Sequence, residues 1–204
     1  MTREHLEAAD KRGGAVMMHI PRKGRIGDPV NIRQLLEIEE KYQNIKLIVA
    51  HVGRAYAKED FGDGFKQLRE TKNMVFDISA NTLPEAMEAA IETFGPDRVL
   101  FGSDMPISIM RMRRIIENGI YINLVPRGLY GDISGDPHMR ETDEQVTWFI
   151  YENIKAMMTV GLNKTDVNKV FYDNACRLFG IGEQNIEKQQ ISIYQSFFFF
   201  FFFF

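Results

Sequence analysis

Three short apolar runs in this chain each lead to a side chain able to bind a metal ion or carry a proton. Residues 15–18 (Ala-Val-Met-Met) run into His19, residues 46–50 (Lys-Leu-Ile-Val-Ala) run into His51, and residues 99–101 (Val-Leu-Phe) pass through Gly102 and Ser103 to Asp104. A fourth run, residues 74–79, carries Asp77. Short apolar runs bounded by turn residues read as buried strands. Positions 19, 51, 77 and 104 are separated by 32, 26 and 27 residues, close to the roughly 30 residues of one strand–helix–strand repeat. The chain therefore reads as α/β, with parallel strands joined by crossover helices. The lips of such strands, at their C-terminal ends, are where α/β folds place their chemistry.

The segments between these runs have helical character. Residues 2–12 form a charged helix closed by Gly13 and Gly14, and Pro29 opens a helix with Leu35, Leu36 and Ile38 on one face, ending near Tyr42. A short helix is expected over residues 65–71 and a longer one over 83–94, with Pro84 in its first turn. Residues 107–117 read as a basic helix through Arg111, Arg113 and Arg114, whose charges suit a solvated face. Residues 119–139 read as a long loop bearing Pro126, Gly128, Pro137 and His138, and residues 142–158 as a helix in which Trp148, Phe149 and Tyr151 pack. Asn163 caps a last helix that ends at Gly180. Gly53 serves the turn after His51; no glycine-rich phosphate fingerprint accompanies it.

Composition narrows the function classes. A net charge of -3 gives no electrostatic footprint for nucleic acid. The apolar runs fall short of the roughly 20 residues of a membrane span, and the start of the chain lacks a signal-peptide pattern. A single cysteine, Cys176, excludes an internal disulfide. These features predict a cytoplasmic protein acting on a small molecule, without nucleic-acid or membrane partners. Arg22 and Arg25, which follow the His19 run, could pair with a substrate carboxylate, or be solvated loop charges. Asp77, mid-strand and facing inward, is expected to make a structural hydrogen bond.

His19 after one strand, His51 after the next, and Gly102-Ser103-Asp104-Met105-Pro106 two strands later resemble the amidohydrolase superfamily, specifically its amidohydrolase-related branch. The closing Asp173-Asn174-Ala175-Cys176-Arg177-Leu178-Phe179-Gly180 resembles the C-terminal helix of that branch, and the resemblance spans residues 10–182. It implies a metal-dependent (β/α)8 barrel with its site at the C-terminal mouth. Of that barrel this chain holds a parallel half-barrel, the last four βα units, plus C-terminal helices. Residues 1–182 would form this domain, and 183–204 a polar tail, appended or disordered, ending in eight phenylalanines.

The resemblance further implies a divalent ion, zinc by donor type, held by His19 from the fifth strand, with Asp104 from the eighth as ligand or general base. His51, from the sixth, would bind the metal or orient the attacking water. The implied reactions are hydrolysis of C–N or C–O bonds or decarboxylation; a non-catalytic remnant or interaction module is the reading from a different class. The His-x-His pair of the family's first strand is missing, since His5 and His138 are isolated. The unpaired strand edges of a half-barrel call for a second copy of the chain or an N-terminal half-barrel to close the sheet.

Overall fold

Four parallel strands, β1 (Ala15–Met18), β2 (Lys46–Val49), β3 (Met74–Asp77) and β4 (Val99–Leu100), lie side by side in chain order. The computed structural model describes residues 2–181; the polar tail and its phenylalanine run lie outside the described residues. Strand side chains alternate between faces, so Val16, Leu47, Val49, Met74, Phe76 and Val99 share the outer face, and all are buried. Helix α1 (Arg3–Lys11) precedes β1, and α2 (Pro29–Lys41) crosses from β1 to β2.

After β2 come two single turns, α3 (His51–Arg54) and α4 (Gly64–Gln67), and α5 (Pro84–Phe94) crosses from β3 to β4. The outer face packs into one core with Ile32, Leu35 and Ile38 of α2 and Ala86, Met87, Ala90 and Phe94 of α5. These positions recur at helical spacing, which is why one stripe of each helix suffices. Phe76 and Phe94 stack with centroids 4.1 Å apart. The start of α2 is set by Asp28, whose Oδ1 accepts from the backbone N–H groups of Val30 and Asn31 at 2.8 and 3.3 Å. The strand spacing predicts this parallel α/β order, and the family resemblance the half-barrel.

Residues 107–142 depart from the expectation. In place of a basic helix and a long loop there is a second sheet: β5 (Arg113–Glu117) pairs antiparallel with β6 (Ile120–Pro126), which pairs parallel with β7 (Met139–Thr142). The hairpin between β5 and β6 is the two-residue turn Asn118-Gly119, with φ of 52° and 72°. Asn-Gly is the residue pair that two-residue hairpins favour, because both positions need positive φ. Arg113 and Arg114 therefore point to opposite faces of a strand. Arg113 pairs with Glu144 at the surface, whereas Arg114 is turned inward, against the reading of a solvated helix face. The next helix, α6, covers only Phe149–Met158; Phe149 is buried, while Trp148 and Tyr151 are exposed.

The chain closes with α7 (Lys164–Asn168), capped by Asn163, a π-helical turn (Lys169–Asp173) and α8 (Asn174–Phe179). Asn174 is buried and fastens α8 to the sheet: its Nδ2 donates to the carbonyls of Pro96 and Val99 at 2.7 and 2.8 Å, and its Oδ1 accepts from Arg177 at 2.8 Å. Gly180, at φ 66°, ends the helix. No helix among the described residues is long and apolar enough to cross a membrane. Replacing Asn174 by Ala takes the side-chain donor from the Val99 carbonyl, while the Pro96 carbonyl keeps the Val99 N–H. It is expected to cost about 1–3 kcal/mol, seen in urea unfolding as a lower midpoint with an unchanged slope.

Candidate active site

The parallel register sets Met18 beside Val49, so the ends of β1 and β2 lie level. His19 is the first residue after β1 and His51 the second after β2. Their rings meet edge to face, centroids 5.4 Å apart and planes 78° apart. His51 is buried, and His19 is exposed on its outer side. The four residues of α3 have φ between 51° and 64°, so this turn is left-handed. For the three that are not glycine, that hand costs roughly 1–2 kcal/mol each.

Packing holds the turn in place. Val52 is fully buried, and a Cβ on Gly53 would come within 2.6 Å of the Ile26 side chain. Gly53 thus serves the turn, as its position after His51 suggests. Strain of this kind concentrates at sites that bind or react.

Asp77, the last residue of β3, lies beneath His51. Its Oδ1 accepts from the backbone N–H groups of Ser79 at 2.9 Å and His51 at 3.3 Å, and from the Ser79 hydroxyl in a very short contact. His51 Nδ1 is 3.0 Å from both the carbonyl oxygen and the Oγ of Ser79. Burial pushes the Asp77 carboxyl pKa up, against the pull of His51 and the Ser79 hydrogen bonds. The structural hydrogen bond expected of Asp77 is present, in multiple form.

Beside the imidazoles, three guanidinium groups gather around Tyr56. Arg114, Arg25 and Arg54 lie 4.2, 5.1 and 5.8 Å from its ring centroid. Arg114 and Arg25 also face Tyr121, at 4.7 and 5.1 Å. Arg25 pairs with Asp60 at 2.7 Å. Arg54 and Arg114 have no carboxylate partner among the described residues; they donate to the carbonyls of Ile20 and Ala80 at 3.2 and 2.6 Å.

Burial lowers the Arg114 pKa, with Tyr56 and Tyr121 acting the other way. Arg22, by contrast, is exposed and paired with Asp28 at 3.0 Å. His138 stacks on Tyr121 at 4.2 Å with its Nδ1 3.0 Å from the Tyr121 carbonyl, on the far side of that ring system.

His19 responds to this setting. Lost hydration on its inner side, then the positive potential of His51, Arg54 and Arg25, brings its pKa down to about 4. A neutral imidazole is the form that binds a borderline cation such as zinc, so His19 and His51 suit the role in donor type. Asp104, at φ 53° and partly exposed, lies on the loop four residues past the end of β4. Among the described residues no group of three or more His, Cys, Asp or Glu side chains is placed to hold a metal ion. The chain thus brings two of its three expected ligands together and leaves Asp104 outside any such cluster.

A four-stranded parallel sheet, with helices on its outer face and polar groups at its C-terminal rim, defines half of an α/β barrel. The family model described as "Amidohydrolase" matches residues 2–181, and the chain belongs to that family. Among solved structures, a 5-carboxyvanillate decarboxylase from Sphingomonas paucimobilis is similar, with 15% identity and a TM-score of 0.52 over 88% of this chain and 53% of that one. An amidohydrolase from Burkholderia multivorans solved with bound zinc gives 11% identity and 0.54 over 88% and 57%. A putative 2-pyrone-4,6-dicarboxylic acid hydrolase from Pseudomonas putida gives 16% and 0.52 over 87% and 56%. At such identities the likeness speaks to the fold. The chain spans just over half the length of each of these structures. A comparison with curated proteins finds no match.

The sequence reading does not single out Arg54, Tyr56, Ser79 or Tyr121, and it places Arg114 on a basic helix, as a solvated charge or an anion-binding one. Arg54 directly follows the His51-Val52-Gly53 lip, and the Asn118-Gly119 pair marks the hairpin that brings in Arg114 and Tyr121; both signals were available. A His whose pKa falls on folding binds its proton more weakly when folded than when unfolded. Between pH 6.5, the ordinary value, and about 4, the unfolded chain therefore holds the extra proton, and stability drops as the pH falls through that window. Replacing His19 by Gln is expected to flatten this part of the stability–pH curve, measured by urea unfolding at stepped pH.

Proposed function

We propose that the chain carries the cation-binding and proton-transferring rim of a metal-dependent hydrolase of the amidohydrolase family. The observation behind this reading is the edge-to-face pair of His19 and His51 at adjacent strand ends, 5.4 Å apart. His19 and His51 would hold a divalent ion, zinc by donor type, with Asp104 as a further ligand or as the base. Bound there, the ion would supply Lewis-acid activation, bringing the pKa of water to about 7. His51 orients the attacking water, and Asp104 takes its proton and passes it to the leaving group.

Arg25, Arg54 and Arg114 orient a substrate carboxylate through planar, bidentate contacts, with Arg22 at the rim. The two guanidiniums without carboxylate partners support an acidic substrate. They equally favour a second reading, in which such an acid loses its carboxyl group as carbon dioxide. The exposed inner side of β1, where Met17 is 45% exposed, would be covered by a second copy or by an N-terminal half-barrel.

Equilibrium dialysis of the full chain against zinc tests the reading. Stoichiometric binding is expected, weakened about tenfold or more by His19→Ala, with Asp104→Ala reporting whether that carboxylate acts as ligand or as base. Absence of stoichiometric zinc would favour a non-catalytic module.

A further inference from the structure

We infer that Asp77 and Ser79 are positioning residues that hold His51 with its proton on Nδ1, leaving the Nε2 lone pair free. The use of that lone pair rests on the reading of His51 as ligand or base, but the assignment of the proton does not. His51 Nδ1 lies 3.0 Å from the Ser79 carbonyl oxygen. A carbonyl only accepts, so this contact requires Nδ1 to be the donor.

The Ser79 hydroxyl, also 3.0 Å from Nδ1, has one proton to give. It donates that proton to Asp77 Oδ1, since a carboxylate is the stronger acceptor. The hydroxyl then receives the Nδ1 proton through a lone pair. The reverse arrangement, Ser79 donating to Nδ1, would set a nitrogen lone pair against the carbonyl and take a donor from Asp77.

The rest of the environment fits a mount for the ring. Asp77 Oδ1 also accepts the backbone N–H groups of Ser79 and His51, tying the ends of β2 and β3 to one oxygen. Among the described residues its Oδ2 is buried without a partner. A carboxylate kept in that condition costs stability, so the group is not explained by stability alone.

The turn bearing Ser79 is held from three sides. Arg114 donates to the Ala80 carbonyl at 2.6 Å, Asn153 to the carbonyls of Ile78 and Asn81 at 2.6 Å each, and Asn81 to that of Ala55 at 2.8 Å. A histidine whose second nitrogen is fixed in this way has its free nitrogen aimed and its tautomer set.

Nitrogen NMR of the metal-free full chain, labelled at its four histidines, tests this directly. His51 is assigned by comparison with His51→Gln. Above neutral pH, a protonated Nδ1 signal and an unprotonated Nε2 signal are expected for His51; the reverse pattern overturns the proposal. In Asp77→Asn or Ser79→Ala the Ser79 carbonyl still accepts from Nδ1, so the Nδ1-protonated form should stay in the majority while the Nε2-protonated form gains a measurable share, and an unchanged His51 spectrum in both folded variants would overturn the role of the pair. If Asp77→Asn does not fold, the wild-type spectrum and Ser79→Ala decide. Failure to bind zinc sinks the metal reading and leaves this one standing, whereas a reversed tautomer sinks this one even where zinc binds.

Discussion

A parallel sheet is stable when both of its faces are covered, and this chain covers them by different means. The crossover helices α2 and α5 pack on the outer face, where only Met18 at the edge is partly exposed. The inner face has no such layer: Ile48 and Leu100 are buried there, but Met17 on the edge strand is 45% exposed. That asymmetry sorts the chemistry. Side chains that point inward at the C-terminal ends, His19, His51 and Asp77, are kept off the apolar core and gathered on the open side. The barrel geometry that would complete such a face belongs to chains roughly one and a half times as long.

The polar rim is held by a division of labour between one buried carboxylate and several aromatic rings. Asp77 binds the ends of β2 and β3 through a single oxygen, which converts two flexible lips into a rigid support for His51. The three arginines around Tyr56 cannot be held in that way, since among the described residues Arg25 alone of the three has an acidic partner. Tyr56, Tyr121 and Phe149 present their ring faces to Arg114 instead. Such contacts contribute about 0.5–2 kcal/mol each without neutralising the charge. The positive potential of Arg25 and Arg54 therefore survives and adds to the lost hydration that lowers the His19 pKa.

The parallel sheet was legible in the sequence because apolar runs, turn residues and spacing all pointed the same way. Asn163 and Gly180 do the capping that their residue types suggest, and Gly53 occupies a turn that a larger residue could enter only by displacing Ile26. The region 107–142 was misread for a physical reason. Arg-Met-Arg-Arg-Ile-Ile-Glu can satisfy either a helical or an extended pattern over so short a span, and its pairing with β6 is decided by partners up to eleven residues away. The Asn118-Gly119 turn was the local sign that resolved it.

By itself the sequence determined which residues end the strands, because backbone propensity, proline and glycine act locally. Only the tertiary structure decided which of those ends share a site, because side-chain proximity depends on strand register and on elements far apart in the chain. His19 and His51 come together through a register that neither run encodes alone, Asp104 lies on a loop beyond the short β4, and Arg114 reaches the rim from a sheet inserted after it. Chemistry is carried by residue type, and the site by the long-range packing that brings those types within reach of one another.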